Sequence, residues 1–180
     1  MIIRFSGFGG QGIVLSGIIY GYAAMLEGLN VVQTQSYGSE SRGGACKSDV
    51  AISREKIYQL EPEELDVLVA MSQDAYDRYI KMLKKGGLLL IDEGFVNASK
   101  KGAPIQGIEA TKIAEHICGR KMVANTVMMG FLAGKVNLIS PEALKKSISH
   151  NVPPATIELN LKAFEEGLSK AKKVKKANKR

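Results

Sequence analysis

The sequence predicts an α/β fold: a single doubly wound, mostly parallel sheet with further helices at the C-terminal end. Three observations predict it. Short apolar runs alternate with helical patterns over the first two thirds of the chain, a glycine turn joins the first run to the first helix, and the last third holds helical patterns only. At 180 residues there is room for one well-filled domain rather than two. That domain is expected over residues 1–168, with a basic tail at 169–180.

Strand one is read at Ile2 to Ser6, and a helix from Gly12 to Glu27 with Leu15, Ile18, Ile19, Tyr22 and Leu26 on its inward stripe. Gly17 and Gly21 on that helix each cost about 1 kcal/mol against alanine, so a neighbouring strand or a partner subunit is expected to pack closely there. Asn30 to Gln35 is a second strand. Ala45 to Ser53 alternates apolar and polar residues as a half-buried strand antiparallel to its neighbour would. A short strand is expected at Ile57 to Leu60 and a turn at Pro62-Glu63-Glu64, and Val67 to Met71 is apolar throughout, as a central strand should be. Ser72 is placed to cap a helix that turns Tyr76, Tyr79, Ile80 and Leu83 inward and ends at Lys84-Lys85-Gly86. Leu88 to Ile91 is a buried strand that delivers Asp92 and Glu93 to its carboxyl end, where capping or a turn is the expected role. After a last strand at Ile105 to Glu109 come helices from Thr111 to Gly119, from an Asn125 cap to Val136, from Ser140-Pro141, and after Pro153-Pro154. Gly130 and Gly134 repeat the close-contact spacing of the first helix.

Charge and cysteines narrow the function classes. The net charge of +7 comes from the tail, which carries seven of the 25 basic residues and no acid; the remaining 18 basic residues balance the 18 acids. No aromatic is interleaved with those lysines, which argues against nucleic acid. No apolar stretch reaches the roughly 20 residues of a membrane span, and the start has no signal-peptide order, so a cytoplasmic protein without a membrane partner is expected. Cys46 and Cys118 are too few to hold zinc or an iron–sulfur cluster and read as buried thiols. His116 reads as exposed and inert, and His150 has no partner for a metal or a triad. No Ser or Cys nucleophile has a companion base, so no catalytic residue and no metal ligand is assigned.

Two loops carry the ligand chemistry. Gly7-Phe8-Gly9-Gly10-Gln11-Gly12 places Gly7, Gly9 and Gly12 at the spacing of a dinucleotide-binding fingerprint, which makes the sheet Rossmann-like in type. Bare backbone there admits a phosphate or another chain, and the helix that follows aims its free amides and positive dipole end at the same spot. The second loop, Ser36-Tyr37-Gly38-Ser39-Glu40-Ser41-Arg42-Gly43-Gly44, follows strand two on the edge where open α/β sheets bind ligands. Gly43 and Gly44 expose the Arg42 fork and the neighbouring amides to an anion or a facing carboxylate. The candidate contacts are therefore Gly7, Gly9, Gly10, Gln11 and Gly12 with Ser36, Tyr37, Gly38, Arg42, Gly43 and Gly44. Gln33-Thr34-Gln35 stands where an NAD-binding fold keeps an acid, which counts against a nicotinamide dehydrogenase, and no Lys-Ser/Thr pair follows the glycines as in a P-loop.

With Gly7-Phe8-Gly9-Gly10-Gln11-Gly12-Ile13 at the start and Gln35 to Ala45 after strand two, the sequence resembles the gamma subunit of 2-oxoacid:ferredoxin oxidoreductases. The likeness extends through Asp66 to Gln73 and Asn125 to Gly130. The second motif is most similar to the 2-oxoglutarate type, with pyruvate- and 2-ketoisovalerate-type subunits as relatives. The resemblance implies an assembly that decarboxylates a 2-oxoacid, joins the acyl group to coenzyme A and passes two electrons to ferredoxin. It further implies that this chain binds no cofactor tightly, that thiamine diphosphate, Mg and iron–sulfur clusters sit on partner subunits, and that coenzyme A is a substrate. The implied partners are alpha and beta subunits, with a ferredoxin-like delta as a further candidate. Gly9 to Gly12 and Arg42 then meet either the coenzyme A phosphates or a partner's backbone. A free-standing nucleotide-binding oxidoreductase and an adaptor with a basic tail are the competing readings.

Overall fold

The structure, a computed structural model, describes residues 1–36, 45–58, 61–99, 104–119 and 121–177. Its strands are β1 (Ile2–Phe8), β2 (Asn30–Ser36), β3 (Ala45–Ser53), β4 (Leu65–Ala70), β5 (Leu83–Asp92) and β6 (Ile105–Ile108). The helices are α1 (Ile13–Leu26), α2 (Gln73–Tyr79), α3 (Ala110–Cys118), α4 (Ala124–Lys135), α5 (Pro141–Asn151) and α6 (Ile157–Ala177). They build one mostly parallel sheet in the order β2-β3-β1-β4-β5-β6. β1, β4, β5 and β6 pair in parallel, and β3 runs antiparallel to both β1 and β2. The chain between Ser36 and Ala45 is too short for the dozen or more residues that a parallel crossover takes, so β2 and β3 join as a hairpin.

Helices cover both faces unequally. Ile3, Phe5, Val50, Val67, Val69 and Leu90 face a large apolar cluster shared with α1, α3, α4, α5 and α6. Leu65, Leu68, Ala70, Leu89 and Ile91 face a smaller one with α2. On that side the β1–β3 pairing sets Arg4 opposite Asp49, both buried, with Nε–Oδ1 at 2.5 Å and Nη2–Oδ2 at 2.7 Å. The Tyr79 ring lies 4.6 Å from the guanidinium, and the Met82 sulfur accepts from Nη1. A buried pair is retained only when its hydrogen bonds are as complete as these.

The chain departs from the sequence pattern at four places. Helix α1 buries Ile13, Ser16, Gly17, Ile19, Tyr20, Gly21, Ala23 and Ala24, so of the expected stripe only Ile19 is fully inward. Small residues decide this, because they let the helix axis approach the sheet: a Cβ on Gly17 would run into Ser48 of β3. Helix α2 ends at Tyr79 and a 3-10 turn over Ile80–Met82 leads to Leu83, which already pairs with Leu65 in the sheet; Lys84-Lys85-Gly86 belongs to a register shift in β5, not to a helix end. Asn125 lies inside α4 and does not cap it. Ile57 and Tyr58 form no strand, and residues 59 and 60 lie outside the described residues.

Other expectations hold. Ser72 accepts from the Ala75 amide and Ser140 from the Ala143 amide as caps, with Pro141 opening α5. The buried Asp92 carboxylate accepts from the Thr111 amide and hydroxyl, at 3.0 and 2.6 Å, and from the Gly94 amide, so it caps α3 and closes a turn. Cys46 is buried in β3, and burial pushes its thiol pKa up; the Cys118 side chain lies outside the described residues. His116 is exposed. The boundary at 168 is not where the last helix stops: α6 runs on to Ala177 through most of the expected basic tail, because Ala171 is buried against Gly134 of α4.

Candidate functional site at the carboxyl rim of the sheet

β1 leaves the sheet at Phe8 and the chain reverses through Gly9 and Gly10 into α1. The Gln11 amide donates to the Phe8 carbonyl oxygen at 3.2 Å, and Gly10 and Gly12 take φ of 90° and 71°, a region that favours glycine. The Gln11 side chain then locks the turn, accepting from the Phe8 amide at 2.6 Å and donating to the Met71 carbonyl oxygen at 3.1 Å at the end of β4. Met71 is itself held by the Ser6 carbonyl oxygen, at 2.8 Å. Two adjacent parallel strands are thus tied together at their carboxyl ends by one amide side chain.

The glycines divide by task. Gly7 is buried in β1, where a Cβ would collide with the Gln11 and Ile13 side chains; Gly12 makes room for Asn125. At Gly9 and Gly10, both exposed, a Cβ would meet nothing within 4 Å. Gly7 and Gly12 serve the packing of the turn, and Gly9 and Gly10 leave its outer backbone open to a visitor. Beneath them α1 presents its first amides, since bonding within the helix begins with Ser16, whose amide and hydroxyl both donate to the Gly12 carbonyl oxygen. No charged side chain belongs to residues 9–12, so the electrostatics of this spot are those of backbone amides and the helix dipole.

Ser36 ends β2 and Ala45 begins β3, and Ala45 pairs with Phe8. The strand ends that bracket the second loop therefore stand on the same rim as the glycine turn. Tyr37, Gly38, Arg42, Gly43 and Gly44 themselves lie outside the described residues.

Asn125 is the site residue that sequence reasoning missed. Its Nδ2 donates to the Gly12 carbonyl oxygen at 3.2 Å and lies 3.4 Å from Ser16 Oγ, so α4 reaches across and grips the first turn of α1. The next residue continues the polar string: the Thr126 hydroxyl donates to Asn160 Oδ1 of α6 at 2.8 Å. The available signal was an Asn-Thr pair inside the apolar run from Met122 to Met129, since polar groups in such a run need partners when buried. Beside Asn125 opens a cleft of about 230 Å³ lined by Gly10, Leu15, Met122, Val123 and Pro153.

The sequence profile of the pyruvate ferredoxin/flavodoxin oxidoreductase family matches residues 2–170. The chain belongs to this family. It is 46% identical to the 2-oxoglutarate synthase subunit KorC of Methanocaldococcus jannaschii, over 96% of this chain and 94% of that one. Among solved structures it resembles the gamma subunit of a keto/oxoacid ferredoxin oxidoreductase from Geobacter sulfurreducens, with 41% identity, a TM-score of 0.85, and 94% and 97% of the two chains covered. It also resembles a 2-oxoglutarate:ferredoxin oxidoreductase from Magnetococcus marinus solved with 2-oxoglutarate, coenzyme A and succinyl-CoA bound. There the identity is 28%, the TM-score 0.86, and the match covers 96% of this chain but 31% of that chain. The likeness inferred from the two loop motifs is borne out, and this family member is one subunit of a multi-subunit oxidoreductase. Among the described residues no three or more His, Cys, Asp or Glu side chains gather to hold a metal ion. None of the described helices is long and apolar enough to cross a membrane.

Proposed function

We propose that this chain is the gamma subunit of a 2-oxoglutarate:ferredoxin oxidoreductase. The complex converts 2-oxoglutarate and coenzyme A to succinyl-CoA and CO2, and two electrons pass to ferredoxin. The observation that carries this reading is the end-to-end 46% identity with a 2-oxoglutarate synthase subunit. Thiamine diphosphate, Mg and the iron–sulfur clusters belong to companion alpha, beta and ferredoxin-like subunits, in the cytoplasm. This chain walls one side of the chamber in which coenzyme A meets the acyl group. The purified chain should be colourless and inactive, and 2-oxoglutarate-dependent dye reduction should return only when the companions are added; activity with pyruvate but not 2-oxoglutarate would overturn the assignment.

Within that chamber the glycine turn and Arg42 hold the coenzyme A phosphates. The open backbone at Gly9 and Gly10 and the uncharged start of α1 support this, because a helix N-terminus stabilises an anion by its free amides and dipole. Gln11 and Asn125 keep that backbone in its bend. Arg42→Ala should weaken coenzyme A binding to the assembled complex by about tenfold or more, the cost of one charge-assisted contact to phosphate. An unchanged dissociation constant with weaker subunit assembly would assign the loop to the interface instead.

A further inference from the structure

Helix α1 reads Ile-Val-Leu-Ser-Gly-Ile-Ile-Tyr-Gly-Tyr-Ala-Ala-Met-Leu and contains no charged residue. A helix apolar on all sides is normally buried on all sides. This one is covered from Ile19 and Ala23 round through Ser16, Tyr20 and Ala24 to Gly17 and Gly21, while on the remaining side Ile18 is 37%, Met25 61% and Leu26 48% exposed. Those three share a stripe with the half-buried Leu15 and Tyr22, and Tyr22 is stacked on His150 of α5 at 4.7 Å. At its upper end Leu15 passes the stripe into the cleft beside the glycine turn, where Met122 is 74% exposed. The other helix packed along this side, α5, shows solvent the charged Glu142 and Lys146, as a free surface should.

We infer that the outer face of α1, from Leu26 up to the glycine-turn cleft, is the surface on which the companion subunit docks. The inference rests on the proposed function. Its occupant is the chain corresponding to the remainder of the Magnetococcus polypeptide, of which this fold makes up only 31%. When such parts share one chain, the tether supplies an effective concentration near the millimolar range; as separate chains they must associate through surface complementarity alone. An uncharged stripe of large apolar side chains supplies that affinity, and its continuity with the cleft sets the partner against the open backbone of Gly9 and Gly10. The partner patch is accordingly apolar and free of unpaired charge where it meets Ile18 and Met25, since either would strand a charge on one side.

The test is equilibrium binding of the full-length chain to the purified companion subcomplex carrying thiamine diphosphate, alongside sedimentation of the chain alone. Ile18→Glu, with Met25→Glu as a second variant should the first fail to fold, should leave the isolated chain a folded monomer. Each should weaken assembly by about 100-fold or more, with dye reduction recovered at raised subunit concentration. Tyr58→Glu, on the opposite face of the sheet, should leave assembly within about twofold. Unchanged affinity of both α1 variants, while the wild-type chain assembles, overturns this inference alone. A wild-type dimer that Ile18→Glu dissociates overturns it in favour of a second copy of the chain. Failure of the wild-type chain to assemble at all overturns the proposed function and this inference together.

Discussion

Helix α1 carries no charge and α4 carries one, Lys135 in its last turn, yet the fold encloses them differently. Every residue of α4 from Ala124 to Ala133 is buried, with α6 drawn so close that a Cβ on Gly130 would strike the Phe164 carbonyl oxygen and one on Gly167 the Val127 carbonyl oxygen. α1 is seated as tightly on the sheet through Gly17, but its outer stripe is left bare. The difference teaches that apolar composition records burial in the working assembly, whereas the single chain accounts for only part of it. For α4 the chain is enough. For α1 a second polypeptide is needed.

That contrast can be broken or sharpened by measurement. The largest effect is expected at the covered helix: Gly167→Ala should destabilise the isolated chain by about 3 kcal/mol in denaturant melts, because the methyl meets backbone that cannot move aside. The gain of about 1 kcal/mol in helix propensity does not offset it. Met25→Glu on the bare stripe should stay within about 0.5 kcal/mol in the same melts. Equal costs at the two helices would erase the distinction. Next comes the link between them, Asn125→Ala, which deprives the Gly12 carbonyl of a donor and leaves a small void; about 2 kcal/mol is expected, with faster amide exchange at residues 9–12. No change in exchange there would show that Gln11 holds the turn unaided.

A smaller cost than at Asn125 is expected at the other end of the sheet from the glycine turn. Partial burial raises the Asp66 carboxyl pKa, but the Lys84 ammonium, the Ile2 amide at 2.6 Å and the chain's amino terminus together hold it below the usual carboxylate range. A depressed carboxyl stabilises the fold fully above its unfolded pKa, near 4, and the contribution is lost as pH falls through the lower folded value. Because this carboxyl is only partly buried and its Lys84 partner is exposed, Asp66→Asn should cost under about 1 kcal/mol at neutral pH and flatten the acid limb of the stability profile. A steeper acid limb in the variant would contradict the sign.

The alternation of strands and helices was legible because burial on both faces demands continuous apolar runs such as Leu88 to Ile91, and capping residues such as Ser72 and Ser140 mark helix starts locally. The end of α2 was not legible, since Leu83-Lys84-Lys85-Gly86 satisfies a helix terminus and a strand bulge equally well until Leu65 is beside it. The inward stripe of α1 was misread for a related reason: when every side of a helix is apolar, periodicity has nothing to contrast, and the small residues that permit close approach mark the sheet side. Asn125 looked like a cap from its neighbours in sequence, and its partner, Gly12, is 113 residues away.

From the order of its residues alone this protein is an α/β domain with a glycine turn and a paired loop motif, and those motifs are enough to point to the oxidoreductase family. Short-range rules suffice there, because turns, caps and buried runs are decided by a residue and its close neighbours. Only the tertiary structure decides that the glycines serve different ends, that Gln11 and Asn125 carry the turn between them, and that the outer side of α1 is uncovered. Each of these depends on which distant side chain arrives at a given backbone atom, and sheet pairing and helix packing settle that across the whole chain.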